Sequence, residues 1–206
     1  MRATRNLFDG LTVGLLGGSF NPPHDGHRQI SLTGLRRMNL DYVWWLVTPG
    51  NPQKRGADYA SLQDRMLAAK ACANHPRILI SDYESRHGLT YTANTIRSLK
   101  SRFPRTHFVW MMGADNLSGF HTWQDWRLIA ANVPLAIFNR PGHSTACLRS
   151  PAAQTMDQYR QPEEAAQKLA RMSAPAWIYF PHIYNELSST AIRQANQDWK
   201  SLLTSR

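Results

Sequence analysis

Through its first two thirds the sequence alternates short apolar runs with amphipathic stretches, and this alternation constrains the fold more than any other feature. The runs LTVGLLGG (11–18), DYVWWLVTPG (41–50), RILISD (77–82), THFVWMMGAD (106–115) and PLAIFNRPG (134–142) have the length of buried strands, and most end at glycine or proline turns. Between them, 27–38, 61–74, 92–103 and 122–133 carry helical patterns, the second opening on a capping serine. A helix between successive strands implies right-handed crossovers, so the expectation is an α/β fold with a doubly wound parallel sheet covered on both faces. Residues 163–172 read as a further helix, 174–180 as a last strand, and 188–197 as a helix with a serine start. Residues 143–162 are rich in Ser, Thr, Ala, Gln and Pro with weak periodicity, and read as a variable insertion or mobile loop. At 206 residues there is room for one substantial core, and no internal repeat divides the chain, so one domain over 1–206 is expected.

Charge narrows the partners. The net charge of +10, dominated by arginine, suits anionic partners, either nucleic acid or phosphorylated small molecules. The basic residues are scattered rather than gathered in a block, and no zinc-finger or RNA-recognition spacing occurs, so nucleic acid is the less favoured of the two. No apolar run is long enough to cross a bilayer, and the first ten residues lack the apolar core of a signal peptide. Cys72 and Cys147 fit neither a zinc pattern nor a disulfide framework, which points to a reducing, cytoplasmic setting.

An open parallel sheet binds its ligands at the carboxyl ends of its strands. The unusual residues of this chain converge on that rim: Gly17 to His27 after the first strand, Pro49 to Lys54 after the second, Gly113 to Asp115 after the fourth, Leu187 to Arg193 after the last. In GGSFNPPHDGH (17–27), Gly17 and Gly18 let backbone come close to a ligand, although a plain strand-to-helix turn would use them too. Neither G-x-G-x-x-G nor Gly-Lys-Ser/Thr is present. His24 and His27 stand three apart where a helix begins, a place whose N–H groups already attract phosphate. A metal site would need a third ligand that does not occur nearby, and two ordinary surface histidines remain the plain alternative.

In LSSTAIR (187–193), Ser188 is a natural N-cap, and Ser189, Thr190 and the first-turn amides can form an anion nest. Arg193, one turn on, can point a guanidinium at the same anion, while a capped helix with a solvated arginine explains the run equally well. Trp123 and Trp126, three apart, fit the core of an amphipathic helix, or one of them a flat platform for an aromatic ring. Tyr91 and Thr92 open a helix whose amides could receive a carboxylate.

Together GGSFNPPHDGH, TPGNPQK, YTANTI, MGADNLSGFHTW and LSSTAIR resemble the nucleotidylyltransferase superfamily marked by His-x-Gly-His, here HDGH, and within it the bacterial nicotinate-nucleotide adenylyltransferases. The motifs fall in the family's order over about residues 12–194. The resemblance implies a Rossmann-like domain and transfer of the adenylyl group of ATP to nicotinate mononucleotide, with Mg²⁺. It implies catalytic roles for His24, His27 and Arg193. The ATP phosphates would be held by the two histidines and by Ser188, Ser189, Thr190 and Arg193, with Gly18 also on the ATP side. Gly17, Ser19 and Phe20 would line the junction of the two nucleotides, and Gly113 and Asp115 would lie against a ribose. The mononucleotide would meet Ser19, Phe20 and Asn21, with Lys54 near its phosphate, Trp123 on its pyridine ring and the Tyr91–Thr92 backbone at its carboxylate.

Such a reaction needs no covalent nucleophile, which accords with the lack of a serine–base pair or an acid–base dyad: catalysis rests on positioning and on neutralising charge. No carboxylate stands out as a metal ligand, so Mg²⁺ is expected to arrive with the triphosphate. Nicotinamide-nucleotide and pantetheine-phosphate enzymes of the same superfamily are the competing readings, and the latter usually lack the first histidine of the pair. A dehydrogenase is disfavoured by the missing dinucleotide fingerprint, and a non-catalytic nucleic-acid binder is the alternative from outside enzymology.

Overall fold

The computed structural model describes residues 6–50, 59–139, 145–181, 189–195 and 199–200. Its centre is a six-stranded sheet in which every neighbouring pair is parallel. In chain order the elements are β1 (Thr12–Gly18), α1 (Asp25–Arg37), β2 (Tyr42–Val47), α2 (Leu62–Ala73), β3 (Ile78–Ser81), α3 (Tyr83–Arg86), α4 (Thr92–Arg102), β4 (His107–Gly113), α5 (Ala114–Gly119), α6 (Trp126–Asn132), β5 (Leu135–Phe138), α7 (Pro151–Thr155), β6 (Trp177–Phe180) and α8 (Ser189–Ala195). The strands lie in the order β3-β2-β1-β4-β5-β6. This is a Rossmann-like doubly wound sheet, and its winding reverses between β1 and β4. Crossovers from β1 run to one face of the sheet and those from β4 to the other, and the carboxyl ends of two such strands are where open α/β sheets bind their ligands.

Two apolar cores flank the sheet. On one face Ile30, Leu35 and Met38 of the α1 region and Ala69, Cys72 and Ala73 of α2 pack with Leu16, Val43, Trp45 and Met111. On the other, Ile96 and Leu99 of α4, Leu117 of α5 and Ile129 of α6 pack with Leu15, Leu46, Trp110 and Ile137. Strands buried on both faces explain why their sequences read as near-continuous apolar runs rather than alternating ones. Local signals fix the helix ends. The Ser61 hydroxyl accepts from the Asp64 amide at 3.1 Å to start α2, and Asn74 closes it in the left-handed region.

Two expectations need correction. Residues 122–133 are not one helix: a 3-10 turn covers Phe120–Thr122, Asp125 has φ 55°, and α6 starts only at Trp126. The segment read as a variable insertion or mobile loop is instead helical and packed over its described part. Turns of 3-10 helix at Thr145–Arg149 and Asp157–Tyr159 flank α7, and Cys147, Ala152, Ala153 and Met156 are buried against the sheet. Such short pieces never complete two turns of one helical period, so periodicity could not reveal them. The helix expected over 163–172 is present as Glu163–Arg171, of the 3-10 kind, with Ala166 and Leu169 buried three residues apart as that helix requires.

Candidate active site

The chain leaves β1 at Gly18 and enters α1 at Asp25, with Ser19 to His24 between them at the carboxyl end of β1. Gly18 is tied to the neighbouring strand end, its carbonyl accepting the Thr48 amide at 3.0 Å. Phe20 has φ 49°, a left-handed backbone unusual for a bulky residue and the kind of strain that gathers at functional sites. Its ring is buried and stacks on Trp45 at 4.8 Å, so what Phe20 offers a ligand is backbone. Asn21 is likewise an anchor: its side-chain oxygen accepts the Ala60 amide at 3.1 Å.

The two histidines form a capping box at the start of α1. His24 Nδ1 accepts the Gly26 amide at 3.1 Å, and His27 Nδ1 accepts the His24 amide at 3.3 Å. A nitrogen that accepts carries no proton, so each ring keeps its N–H on Nε2. The ring centroids are 3.9 Å apart, His24 is buried, and His27 is half-buried against Phe20. Serine or aspartate would cap the helix as well, but neither carries a second ring nitrogen with an N–H on its far side. That pairing of roles is what two histidines add.

The last motif docks onto the first. Ser189 Oγ donates to the Pro22 carbonyl at 2.8 Å, and Arg193 Nη1 donates to the Asn21 carbonyl at 2.6 Å. Arg193 Nη2 also reaches the Thr190 hydroxyl at 3.3 Å. The α8 motif therefore sits beside the histidine loop, as the placement of both on one rim predicts. Gly113 is the N-cap of α5 at the end of β4, with Asp115 in its first turn. Tyr91 is the N-cap of α4, where the Asn94 and Thr95 amides fold back onto its carbonyl. Lys54 and Ser188 lie outside the described residues.

The broken helix at 122–125 separates the two tryptophans. Trp126 is buried under the Arg127 guanidinium, 4.7 Å from its ring. Trp123 is only partly buried, and it meets Trp110 at 6.5 Å and Phe120 at 5.4 Å in edge-to-face contacts. Trp126 is the core residue, while Trp123 packs partly buried against the edge of that core.

Two site-supporting residues escaped the sequence reading. Arg65 of α2 is buried beneath the two loops, its guanidinium bonded to backbone carbonyls. Glu84 is buried where α3, α4 and the end of β2 meet, its Oε1 accepting the Thr95 hydroxyl at 2.9 Å. Burial pushes the Glu84 carboxyl above its ordinary value, and hydrogen bonds from Thr95 and Thr48 only partly oppose this. Arginine and glutamate are surface residues by default, so composition offered no signal for either.

The raised Glu84 value has a sign that can be checked. The folded protein holds this proton to higher pH than the unfolded chain does. The resulting stability is therefore full below the ordinary carboxylate value and is lost as pH rises through the folded one. Glu84→Gln keeps an oxygen for Thr95 but cannot ionise. Its melting temperature, measured against that of the wild type from pH 4 to pH 8, is expected to gain on the wild type as pH rises. A constant difference across that range would show that Glu84 does not titrate in this window.

The sheet's reversal point, with a two-histidine helix start and a docked Ser/Thr/Arg helix beside it, accords with a nucleotidylyltransferase, and the cytidylyltransferase-like family model matches residues 15–195, which places the chain in that class. The chain is 52% identical over 192 residues to the probable nicotinate-nucleotide adenylyltransferase of Bradyrhizobium sp. (strain BTAi1), covering 93% of this chain and 100% of that one. With the Agrobacterium fabrum counterpart it shares 46% identity over 183 residues, covering 89% and 98%. The chain belongs to the nicotinate-nucleotide adenylyltransferase family. The fold likeness extends to the Plasmodium falciparum nicotinic acid mononucleotide adenylyltransferase complexed with APC, with a TM-score of 0.65 at 15% identity over 89% of this chain and 83% of that one.

Proposed function

We propose that this chain transfers the adenylyl group of ATP to nicotinate mononucleotide, forming nicotinate adenine dinucleotide and pyrophosphate in NAD biosynthesis. The 5′-phosphate of the mononucleotide attacks the α-phosphorus in line: one P–O bond forms as the bond to pyrophosphate breaks. The observation that carries this reading is the histidine capping box, because it commits both Nδ1 atoms to backbone and leaves both N–H groups on Nε2. Such fixed donors stabilise charge as it spreads onto phosphate oxygens, and they need no reorganisation at the moment of reaction. Ser189, Thr190 and Arg193 complete the ATP side, and the nearby Asn21 and Pro22 carbonyls keep that helix in place.

Mg²⁺ fits this site as a passenger on the triphosphate. The donors gathered on the rim are mainly amides, imidazoles, hydroxyls and a guanidinium, which bind phosphate oxygen, and its carboxylates, Asp25 and Asp115, stand in the first turns of two different helices. When bound there, the ion neutralises charge on the pyrophosphate leaving group. Among the described residues no helix is long and apolar enough to cross a membrane, and Cys72 and Cys147 are both buried and outside any disulfide.

The test is ATP-dependent pyrophosphate release with the acid and amide mononucleotides side by side. The acid is expected to be the better substrate, its carboxylate received by the first turn of α4. Equal or faster turnover of the amide would overturn the acid preference. Trp123→Ala is expected to raise the KM for the mononucleotide about five- to tenfold while changing that for ATP little, as loss of one stacking contact implies. If neither KM changes, Trp123 only packs against Trp110 and Phe120.

A further inference from the structure

Arg65 is 1% exposed, and among the described residues no carboxylate pairs with it. Its guanidinium instead donates to four backbone carbonyls: Nε to Ala60 at 3.0 Å, Nη1 to Ser19 at 2.7 Å and Thr48 at 2.8 Å, and Nη2 to Pro49 at 3.3 Å. The Tyr59 ring lies 5.5 Å from it. Burial lowers its pKa from the ordinary value, but a guanidinium titrates so far above neutrality that it stays charged. Taking an unpaired cation out of water is costly, and a buried apolar side chain would have spared that cost. What the arginine achieves is geometric. One planar fork joins the loop after β1 to both ends of the loop between β2 and α2.

The consequence lies on the far side of those peptides. A trans peptide sets its N–H opposite its C=O. With the Ser19 carbonyl drawn inward to Arg65, the Phe20 amide turns outward, and with the Pro49 carbonyl drawn inward, the Gly50 amide does the same. Pinning the Ser19 carbonyl also restrains the peptide that leads into the left-handed Phe20 backbone. We propose that Arg65 is a positioning residue for the reaction, holding the Phe20 and Gly50 amides toward the 5′-phosphate of the mononucleotide. This rests on the adenylyl-transfer reading for the identity of the phosphate, whereas the coupling of the two loops does not depend on it. Lysine keeps the charge but lacks the planar fork, so it cannot hold four carbonyls in one plane.

The experiment compares wild type with Arg65→Lys in pyrophosphate release, at a temperature where circular dichroism shows both folded. The variant is expected to raise the KM for nicotinate mononucleotide about tenfold and leave that for ATP within about threefold, because the histidines and α8 still hold the triphosphate. Mere loss of folded enzyme would lower kcat and move neither KM. Unchanged kinetics in a folded variant would overturn the proposal. A second arm uses wild type alone and holds even if the variant does not fold. Native-state hydrogen exchange follows the Thr48 amide, bonded to the Gly18 carbonyl, and the Ala60 amide, bonded to the Asn21 side chain. The two are expected to open in one step, and independent opening would overturn the coupling. Wild type that turns over no pyridine mononucleotide would instead sink the functional reading, leaving the exchange arm to judge Arg65.

Discussion

His27→Ala is expected to lower kcat by on the order of 10²-fold or more, the usual scale for losing a donor aimed at developing charge. The imidazole does two things at once. Its Nδ1 accepts the His24 amide at 3.3 Å, and its Nε2 carries the N–H proposed above as the phosphate donor. Alanine removes both, so a stability loss of about 1 kcal/mol should accompany the kinetic effect, as for other lost caps. His27→Asn separates the two roles: its side-chain oxygen can still accept the His24 amide, but it has no N–H at the reach of Nε2. Chemical denaturation is expected to show most of the lost stability restored, while kcat stays low. A kcat near that of wild type in either variant would remove His27 from the chemistry and leave it a helix cap.

The strand–helix alternation was legible because each apolar strand is buried on both faces and each main helix spans several turns. Periodicity failed where elements are shorter than their own period. Hence α7 and its flanking 3-10 turns read as a loop, and the left-handed Asp125 went unnoticed inside an apparent helix. For the site, the motifs showed which loops share the rim, and the structure brings the α8 motif against the histidine loop. What stayed hidden is the division of labour within GGSFNPPHDGH. Phe20 and Asn21, carried over as substrate contacts, turn their side chains into the protein, to Trp45 and to the Ala60 amide. The histidines were read as donors, and their accepting nitrogens, which set the tautomer, depend on distances that no sequence contains. Arg65 leaves no mark at all, because its partners are backbone carbonyls and any residue supplies one.

Gly17 carries the second large expectation. At the sequence level it admits a ligand, but a Cβ built there would lie 2.6 Å from Trp110 Cη2 and 3.0 Å from Cζ2. The indole cannot easily withdraw: Trp110 is 2% exposed, and its strand is paired to β1 with Trp110 opposite Leu15. Gly17→Ala is therefore an overpacking change, expected to cost about 1–3 kcal/mol in urea unfolding. Gly18→Ala is the control, since its Cβ would come no closer than 3.4 Å to the Phe20 ring, an ordinary contact, and its cost should stay within about 0.5 kcal/mol. The displaced indole has one further neighbour of consequence, Trp123, at 6.5 Å. Gly17→Ala should thus weaken mononucleotide binding as well as stability, and Gly18→Ala should spare stability. Equal stability in the two variants would mean that the indole yields freely, and Gly17 would then be there for the ligand alone.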